Sequence, residues 1–319
     1  MIGVAGAGAF GTSLAIALGR EGREVTLWAR DKDQVSEMQS ERRNLARLPD
    51  AALPDAVKVT GDIADLGGAQ AVLLAVPMQA LGGFLAEHAS VLAGLPLVAC
   101  CKGVDLKTLT GAATLIRHAC PEATVAVLTG PSFAVDIAKG LPTALTLACD
   151  SAASEGLQRL LSTTTLRLYR TSDVIGAELG GALKNVIAIA AGVVIGAGLG
   201  ESARAALMTR GYAEMQRFAL RLGARAETLA GLSGFGDLVL TCTSTQSRNL
   251  RFGMALGSAT GFDPAITVEG AATAQAVVRL SGQLEIDTPI TGMVAALINR
   301  KLSLDEAIRS LMSRPLKQE

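Results

Sequence analysis

The opening stretch constrains this chain more than any other. A short apolar strand, Ile2 to Ala5, runs directly into Gly6-Ala-Gly-Ala-Phe-Gly11, and an amphipathic helix is expected from about Thr12 to Arg20. Each glycine has its own task in such a turn. Gly6 permits the tight reversal, Gly8 lets backbone approach a pyrophosphate, and Gly11 lets the helix lie close to the strand. The phosphates then rest on the helix N-terminus, where unpaired N–H groups and the helix dipole favour negative charge. A second strand, Glu24 to Ala29, completes a β-turn-α-β unit.

A unit of this kind extends into a sheet only if more buried strands follow. Ala71 to Val76, Leu95 to Cys100, Thr124 to Leu128 and Thr143 to Ala148 are continuous apolar runs, as expected of parallel strands covered on both faces. Helical spacing over Met78 to Leu92 and Leu109 to Cys120 supplies covering layers, giving an α/β doubly wound Rossmann sheet. Beyond about Thr171 the pattern becomes helical: Glu178 to Leu199, Ser202 to Leu222 with Ser202 as N-cap and Gly223 as stop, then Arg248 to Leu256, Glu269 to Leu284 and Pro289 to Asn299. Ser303 and Glu306 are spaced as a capping box for a last helix. The boundary falls between Arg170 and Gly176, which divides the chain into a dinucleotide-binding domain, 1–173, and an all-helical domain, 174–319. Half of the 319 residues are hydrophobic, enough for two cores.

The helix from Glu178 is apolar except for Lys184 and Asn185. Burying a lysine costs several kcal/mol unless it is paired, and desolvation lowers its pKa towards proton-transfer chemistry. Lys184 is thus either a structural ion-pair member or a working acid/base. The apolar run Val186 to Leu199 falls short of the roughly 20 residues that span a bilayer, so a core helix is expected.

Charge excludes other classes of function. With 29 basic and 29 acidic residues there is no net field to gather nucleic acid or an anionic membrane, so small-molecule ligands are expected. Five cysteines form no C-x-x-C pair, and the two histidines, His88 and His118, have no metal-ligand spacing, which suits a cytoplasmic, metal-free protein with reduced thiols. The chain opens without a charged segment and long apolar core of the signal-peptide kind.

Three loops follow strands at the carboxyl edge of the sheet, where open α/β folds bind ligands: Val76-Pro-Met-Gln79, Cys101-Lys-Gly103 and Gly130-Pro-Ser-Phe133. The second strand ends Trp28-Ala-Arg30, where NAD enzymes commonly carry an acidic residue for the ribose 2′-hydroxyl; Arg30 favours NADP, while Asp31 beside it keeps NAD open. Gly231 to Asn249 is too rich in glycine and hydroxyl residues for one helix. Within it, Asp237 suits a lysine partner, and Ser247, Arg248 and Asn249 offer donors suited to phosphate oxygens.

Taken together, Gly6-Ala-Gly-Ala-Phe-Gly-Thr12, Cys101-Lys-Gly103, Gly130-Pro-Ser-Phe-Ala134, Gly140-Leu-Pro-Thr-Ala144, Gly181-Ala-Leu-Lys-Asn-Val186, Gly234-Phe-Gly-Asp-Leu-Val-Leu-Thr-Cys-Thr243, Ser247-Arg-Asn249 and Val268-Glu-Gly270 resemble the bacterial-type NAD(P)-dependent glycerol-3-phosphate dehydrogenases over almost the whole chain. The resemblance implies a Rossmann domain joined to a helical domain of the 6-phosphogluconate dehydrogenase C-terminal type, with the active site in the cleft between them. It implies reversible reduction of dihydroxyacetone phosphate to sn-glycerol 3-phosphate for glycerophospholipid synthesis, with NADP favoured over NAD. By this resemblance Lys184, Lys102 and Asp237 are the catalytic set. Lys102, Gly130, Ser132, Lys184, Asp237, Ser247, Arg248 and Asn249 contact substrate; Gly6, Gly8, Phe10, Gly11, Arg30, Lys102, Ala134, Arg248 and Glu269 contact the dinucleotide. A homodimer stands beside the monomer as an open assembly state. Ala9, where the family usually has serine, and Gly200-Glu-Ser-Ala-Arg204 depart from the pattern. A ketopantoate reductase or hydroxy acid dehydrogenase on the same architecture, and a non-catalytic NADP sensor, are the competing readings.

Overall fold

A computed structural model describes residues 1–312. Its first half is an eight-stranded sheet. The elements run β1 (Ile2–Ala5), α1 (Ala9–Arg20), β2 (Val25–Trp28), α2 (Lys32–Glu41), a small hairpin β3 (Arg43–Asn44) and β4 (Leu48–Ala52), β5 (Val57–Thr60), β6 (Val72–Leu74), α3 (Met78–Leu92), β7 (Leu97–Ala99), α4 (Ala112–Ala119), β8 (Val125–Thr129), α5 (Ala134–Lys139), β9 (Thr143–Ala148), α6 (Ser154–Leu161) and β10 (Leu166–Thr171). Strand order is β10-β9-β8-β7-β6-β1-β2-β5. The order reverses at β1, which lies between β6 and β2, and a doubly wound sheet opens its ligand crevice at that point.

The expected parallel sheet needs one correction. β9 pairs antiparallel with β8, and β10 then pairs parallel with β9, so the far edge departs from the doubly wound pattern. The short α5 between β8 and β9 does not carry the chain back across the sheet as a right-handed crossover would, so the chain reverses. Alternation in Leu166-Arg-Leu-Tyr-Arg, buried then exposed, marks β10 as a half-exposed edge strand, a signal of period two that a search for continuous apolar runs passes over. Two apolar clusters flank the sheet: one built around Leu14, Leu27 and Leu147 under α1, the other around Leu74, Leu81 and Ile116 under α3 and α4.

The second half is helical. α7 (Val174–Gly196) is the axis on which α8 (Glu201–Arg221), α9 (Ala226–Ala230), a π-helical turn (Leu232–Gly236), α10 (Asp237–Thr243), α11 (Arg248–Gly257), α12 (Glu269–Leu284) and α13 (Pro289–Ile298) assemble, and α14 (Leu304–Met312) packs against α13. α7 begins four residues before Glu178, because Asp173 caps it by accepting the N–H of Gly176. At 23 residues it is long and apolar enough to cross a bilayer, unlike the shorter run read from sequence, yet 83% of its most apolar window is buried by its neighbours. Small residues explain that burial: a Cβ on Gly192 or Gly196 would meet α11 backbone at 2.1 Å. Gly200, not Ser202, precedes α8, whereas Gly223 does stand past its end at φ +93°. Leu109 has φ +57°, so α4 begins only after Gly111. Ser303 and Glu306 form the reciprocal capping box of α14.

Candidate active site

The turn after β1 is shaped as its glycines require. Gly6 has φ +115°, and a Cβ there would sit 2.8 Å from the Ala75 carbonyl oxygen; on Gly11 it would sit 2.0 Å from that of Gly6. Gly8 has no atom within 4 Å of its Cβ position, so its face is open to a ligand. It precedes α1, whose first turn carries neither a side-chain cap nor an acidic residue, so its N–H groups are available to a pyrophosphate. Phe10 is half-buried against the core under α1. Asn44 and Gln34, which sequence reading missed, both donate to the Ala7 carbonyl and brace the turn from the side.

Arg30 is exposed at the carboxyl end of β2 and has no side-chain hydrogen bond or ion pair among the described residues. Asp31, which kept NAD open, is already engaged: its Oδ1 accepts the N–H groups of Asp33 and Gln34 and caps α2. The sequence holds the same two residues side by side, but only the cap geometry divides their duties. Ala134 is half-buried at the first position of α5.

On the other side of the cleft two lysines meet one carboxylate. Lys184 Nζ donates to Asp237 Oδ1 at 3.0 Å and to Thr241 Oγ1 at 2.6 Å; Lys102 Nζ donates to Asp237 Oδ2 at 2.6 Å and to the Gly130 carbonyl at 3.2 Å. Asp237 is fully buried, Lys184 nearly so, and Lys102 opens more towards solvent. α10 brings this about: Asp237 and Thr241 lie one helical turn apart on the face turned to α7. Burial drives the Lys184 ammonium down to about 8; Asp237 opposes that shift and Lys102 adds to it. Burial alone would raise the Asp237 carboxyl, but Lys102 and Lys184 outweigh it and hold the group below its usual range. The cluster therefore carries a net positive charge, with Lys184 poised to release a proton. Thr241, absent from the residues singled out by sequence, shows as a hydroxyl one helical turn after Asp237.

The remaining candidates are placed less simply. Ser132 Oγ donates to the Gly130 carbonyl at 3.3 Å, which gathers Ser132 and Lys102 on one oxygen. Ser247 is buried and its hydroxyl accepts the Leu250 N–H, capping α11. Asn249 donates to Asn185 at 2.9 Å and accepts the Gly270 N–H, so its amide is tied into the start of α12. Arg248 remains exposed. It lies within electrostatic reach of Glu269, whose carboxyl burial raises while Arg248 and the Met78 N–H pull it down. Cys101 beside Lys102 is pushed well above the usual thiol range by burial and by the carboxylates of Glu269 and Glu178, which makes it a poor nucleophile.

A Rossmann sheet with an open glycine turn, facing a helical domain that presents a proton-poised lysine, defines a nicotinamide-dependent oxidoreductase. Comparison with known proteins narrows the class. Residues 1–155 match the family described as NAD-dependent glycerol-3-phosphate dehydrogenase N-terminus, and residues 173–309 match its C-terminus. A glycerol-3-phosphate dehydrogenase [NAD(P)+] of Cereibacter sphaeroides is 64% identical over 321 residues, all of both chains, and one of Ruegeria is 59% identical over 100% of this chain and 99% of its own. A crystal structure of glycerol-3-phosphate dehydrogenase from Coxiella burnetii superposes with a TM-score of 0.93 at 37% identity, covering 98% of each chain. The chain belongs to the NAD(P)-dependent glycerol-3-phosphate dehydrogenase family.

Proposed function

We propose that this protein reduces dihydroxyacetone phosphate to sn-glycerol 3-phosphate with NADPH in preference to NADH, reversibly, and that it supplies glycerophospholipid synthesis in the cytoplasm. The observation that carries the reaction is the Lys184–Asp237–Lys102 cluster. Residues 1–173 form the unit that holds the dinucleotide, through Gly6, Gly8, Phe10, Gly11, Arg30, Lys102, Ala134, Arg248 and Glu269, the last two reaching across from the helical unit, 174–319. The open Gly8 face and the uncapped α1 N-terminus fit a pyrophosphate. Bound there, the dinucleotide supplies the hydride.

Hydride arrival at the ketone carbon builds alkoxide character on its oxygen. Lys184 stabilises that charge and passes a proton to it, an interaction stronger in the transition state than in the ground state. Asp237 and Thr241 aim the ammonium, and Lys102 adds a second positive charge. Gly130, Ser132, Ser247, Arg248 and Asn249 hold the substrate, with the phosphate supplying binding energy remote from the reacting carbon. Two copies of the chain form a homodimer in this reading, checked by the mass in solution.

Initial rates of NADPH oxidation with dihydroxyacetone phosphate and with ketopantoate test the assignment; faster turnover of ketopantoate would overturn it. The pH profile follows from Lys184. A proton donor must carry its proton, so reduction is expected to be level below pH 8 and to fall about tenfold per unit above it, while oxidation rises with pH and levels off beyond about 8. A profile of kcat in both directions between pH 6 and 10 checks the sign. Arg30→Ala is expected to raise KM for NADPH about tenfold or more and KM for NADH less than about twofold, because only the former has a 2′-phosphate for the guanidinium. Equal effects would show that Arg30 does not read that group.

A further inference from the structure

Two Rossmann helices whose N-termini face the cleft lack a cap of their own. α3 follows Pro77 and α4 follows Gly111; neither residue offers a side-chain acceptor, and neither first turn holds an acidic residue. In each case the acceptor comes from the helical domain. Glu178, on α7, accepts the Ala113 N–H at 2.8 Å, with the Ala112 N–H also close enough to pull its carboxyl down, and Glu269, at the start of α12, has its carboxyl pulled down in the same way by the Met78 N–H. Orphan N–H groups at a helix start favour such an acceptor, and a negative charge there is favoured by the dipole. The fit at α4 is close: a Cβ on Gly111 would meet the Glu178 carboxylate oxygen, so any side chain at that N-cap position would displace the capping carboxylate.

Glu178 lies six residues before Lys184 on the same rigid helix. The reacting cluster itself straddles the two domains, since Lys102 comes from the loop after β7 while Asp237 and Lys184 come from α10 and α7. We propose that Glu178 is a positioning residue for the reaction: by capping α4 from the helical domain it sets the register of α7 against the sheet, so that Lys184 and Lys102 reach Asp237 together. Glu269 lies beside the parallel start of α3 but is also proposed to contact the dinucleotide, whereas Glu178 is among neither the dinucleotide nor the substrate contacts. Burial pushes the Glu178 carboxyl up to about 7, against the pull of the Ala113 and Ala112 N–H groups and of Arg117 on α4.

This inference rests on Lys184 as proton donor, and the test separates the two. Lys184 faces Asp237 and Cys242 on α10 and Lys102 from the other domain, so any slip between domains changes the charges around it. Glu178→Gln keeps an acceptor oxygen at the same reach and is expected to hold kcat within about threefold of the native chain. Glu178→Ala is expected to lower kcat about 30-fold or more, with the dissociation constant for NADPH within about threefold, and to move the alkaline limb of the reduction profile above pH 8 as water reaches Lys184. Glu178→Asp, which keeps the charge but draws it back, is expected to lower kcat by an intermediate factor and serves if the alanine variant fails to fold. A native kcat and alkaline limb in the alanine or aspartate variant, with only the melting temperature lowered, would reduce Glu178 to a structural cap and overturn the proposal. Equal kcat losses in the glutamine and alanine variants would overturn it too, since charge and not position would then be at work. If the native chain itself shows no limb near pH 8, the reading of Lys184 fails instead.

Discussion

Lys184→Ala is expected to lower kcat for reduction of dihydroxyacetone phosphate about 10³-fold or more while NADPH affinity changes less than about threefold. General acid catalysis accounts for roughly 10² to 10⁴ of rate, and loss of the positive charge beside the developing alkoxide adds to that. The fold should survive, because Asp237 keeps Lys102 as a partner at 2.6 Å and no buried charge is left alone. Nucleotide affinity should survive because the glycine turn and α1 lie in the other domain. Steady-state kinetics with a fluorescence titration of NADPH separate the two quantities. Turnover within tenfold of the native chain would remove Lys184 from the chemistry, and a parallel loss of nucleotide binding would make it a structural residue.

Asp237→Asn should cost stability as well as turnover. The substitution keeps the shape but leaves two ammonium groups against a neutral amide in a site where Asp237 has no exposure and Lys184 little. Removing one partner from a buried ion pair costs about 3–5 kcal/mol. The sign with pH follows from the lysines. Lys184 already has a folded pKa of about 8 against an ordinary 10.5, and loss of Asp237, which raises it, lowers it further. Between that folded value and 10.5 the unfolded chain binds more protons than the folded one, so stability increases as pH rises. In the native chain the same rise begins only near pH 8, whereas in the variant it begins lower, so the variant's deficit in melting temperature is expected to shrink as pH rises to about 8 and to level off above it; calorimetry from pH 6 to pH 9.5 checks it. A deficit that grew with pH would mean that the lysines do not carry the cost.

Much of the candidate site was legible because the chemistry it suits leaves a local mark. A lysine inside the apolar run of α7 demands a partner wherever the chain folds, and Asp237 in a glycine-rich interruption was the natural one to name; the two do meet at 3.0 Å. Glycines at 6, 8 and 11 after a strand left little else for that turn to be. Lys102 was legible by resemblance, yet nothing local says that it shares Asp237 with Lys184, since 135 residues separate it from that carboxylate. Thr241 escaped because one more threonine among several carries no signal until α10 turns it towards α7. Ser247 and Asn249 were read as phosphate donors, and the structure adds duties that composition hides, one as a helix cap and one as a link to Asn185 and Gly270.

The sequence by itself determined the Rossmann opening, the change to helices after Thr171 and the buried lysine, because φ requirements, hydrophobic period and the cost of an unpaired charge act within a few residues of one another; the family was legible through the resemblance of its motifs. The tertiary structure alone decided the antiparallel reversal at β9, the diversion of Asp31 to capping α2, the sharing of one carboxylate by two lysines, and the capping of α3 and α4 by Glu269 and Glu178 from the opposite domain. Those features depend on which distant groups are brought within about 3 Å. Packing of the whole chain sets that distance, and no short stretch of residues contains it.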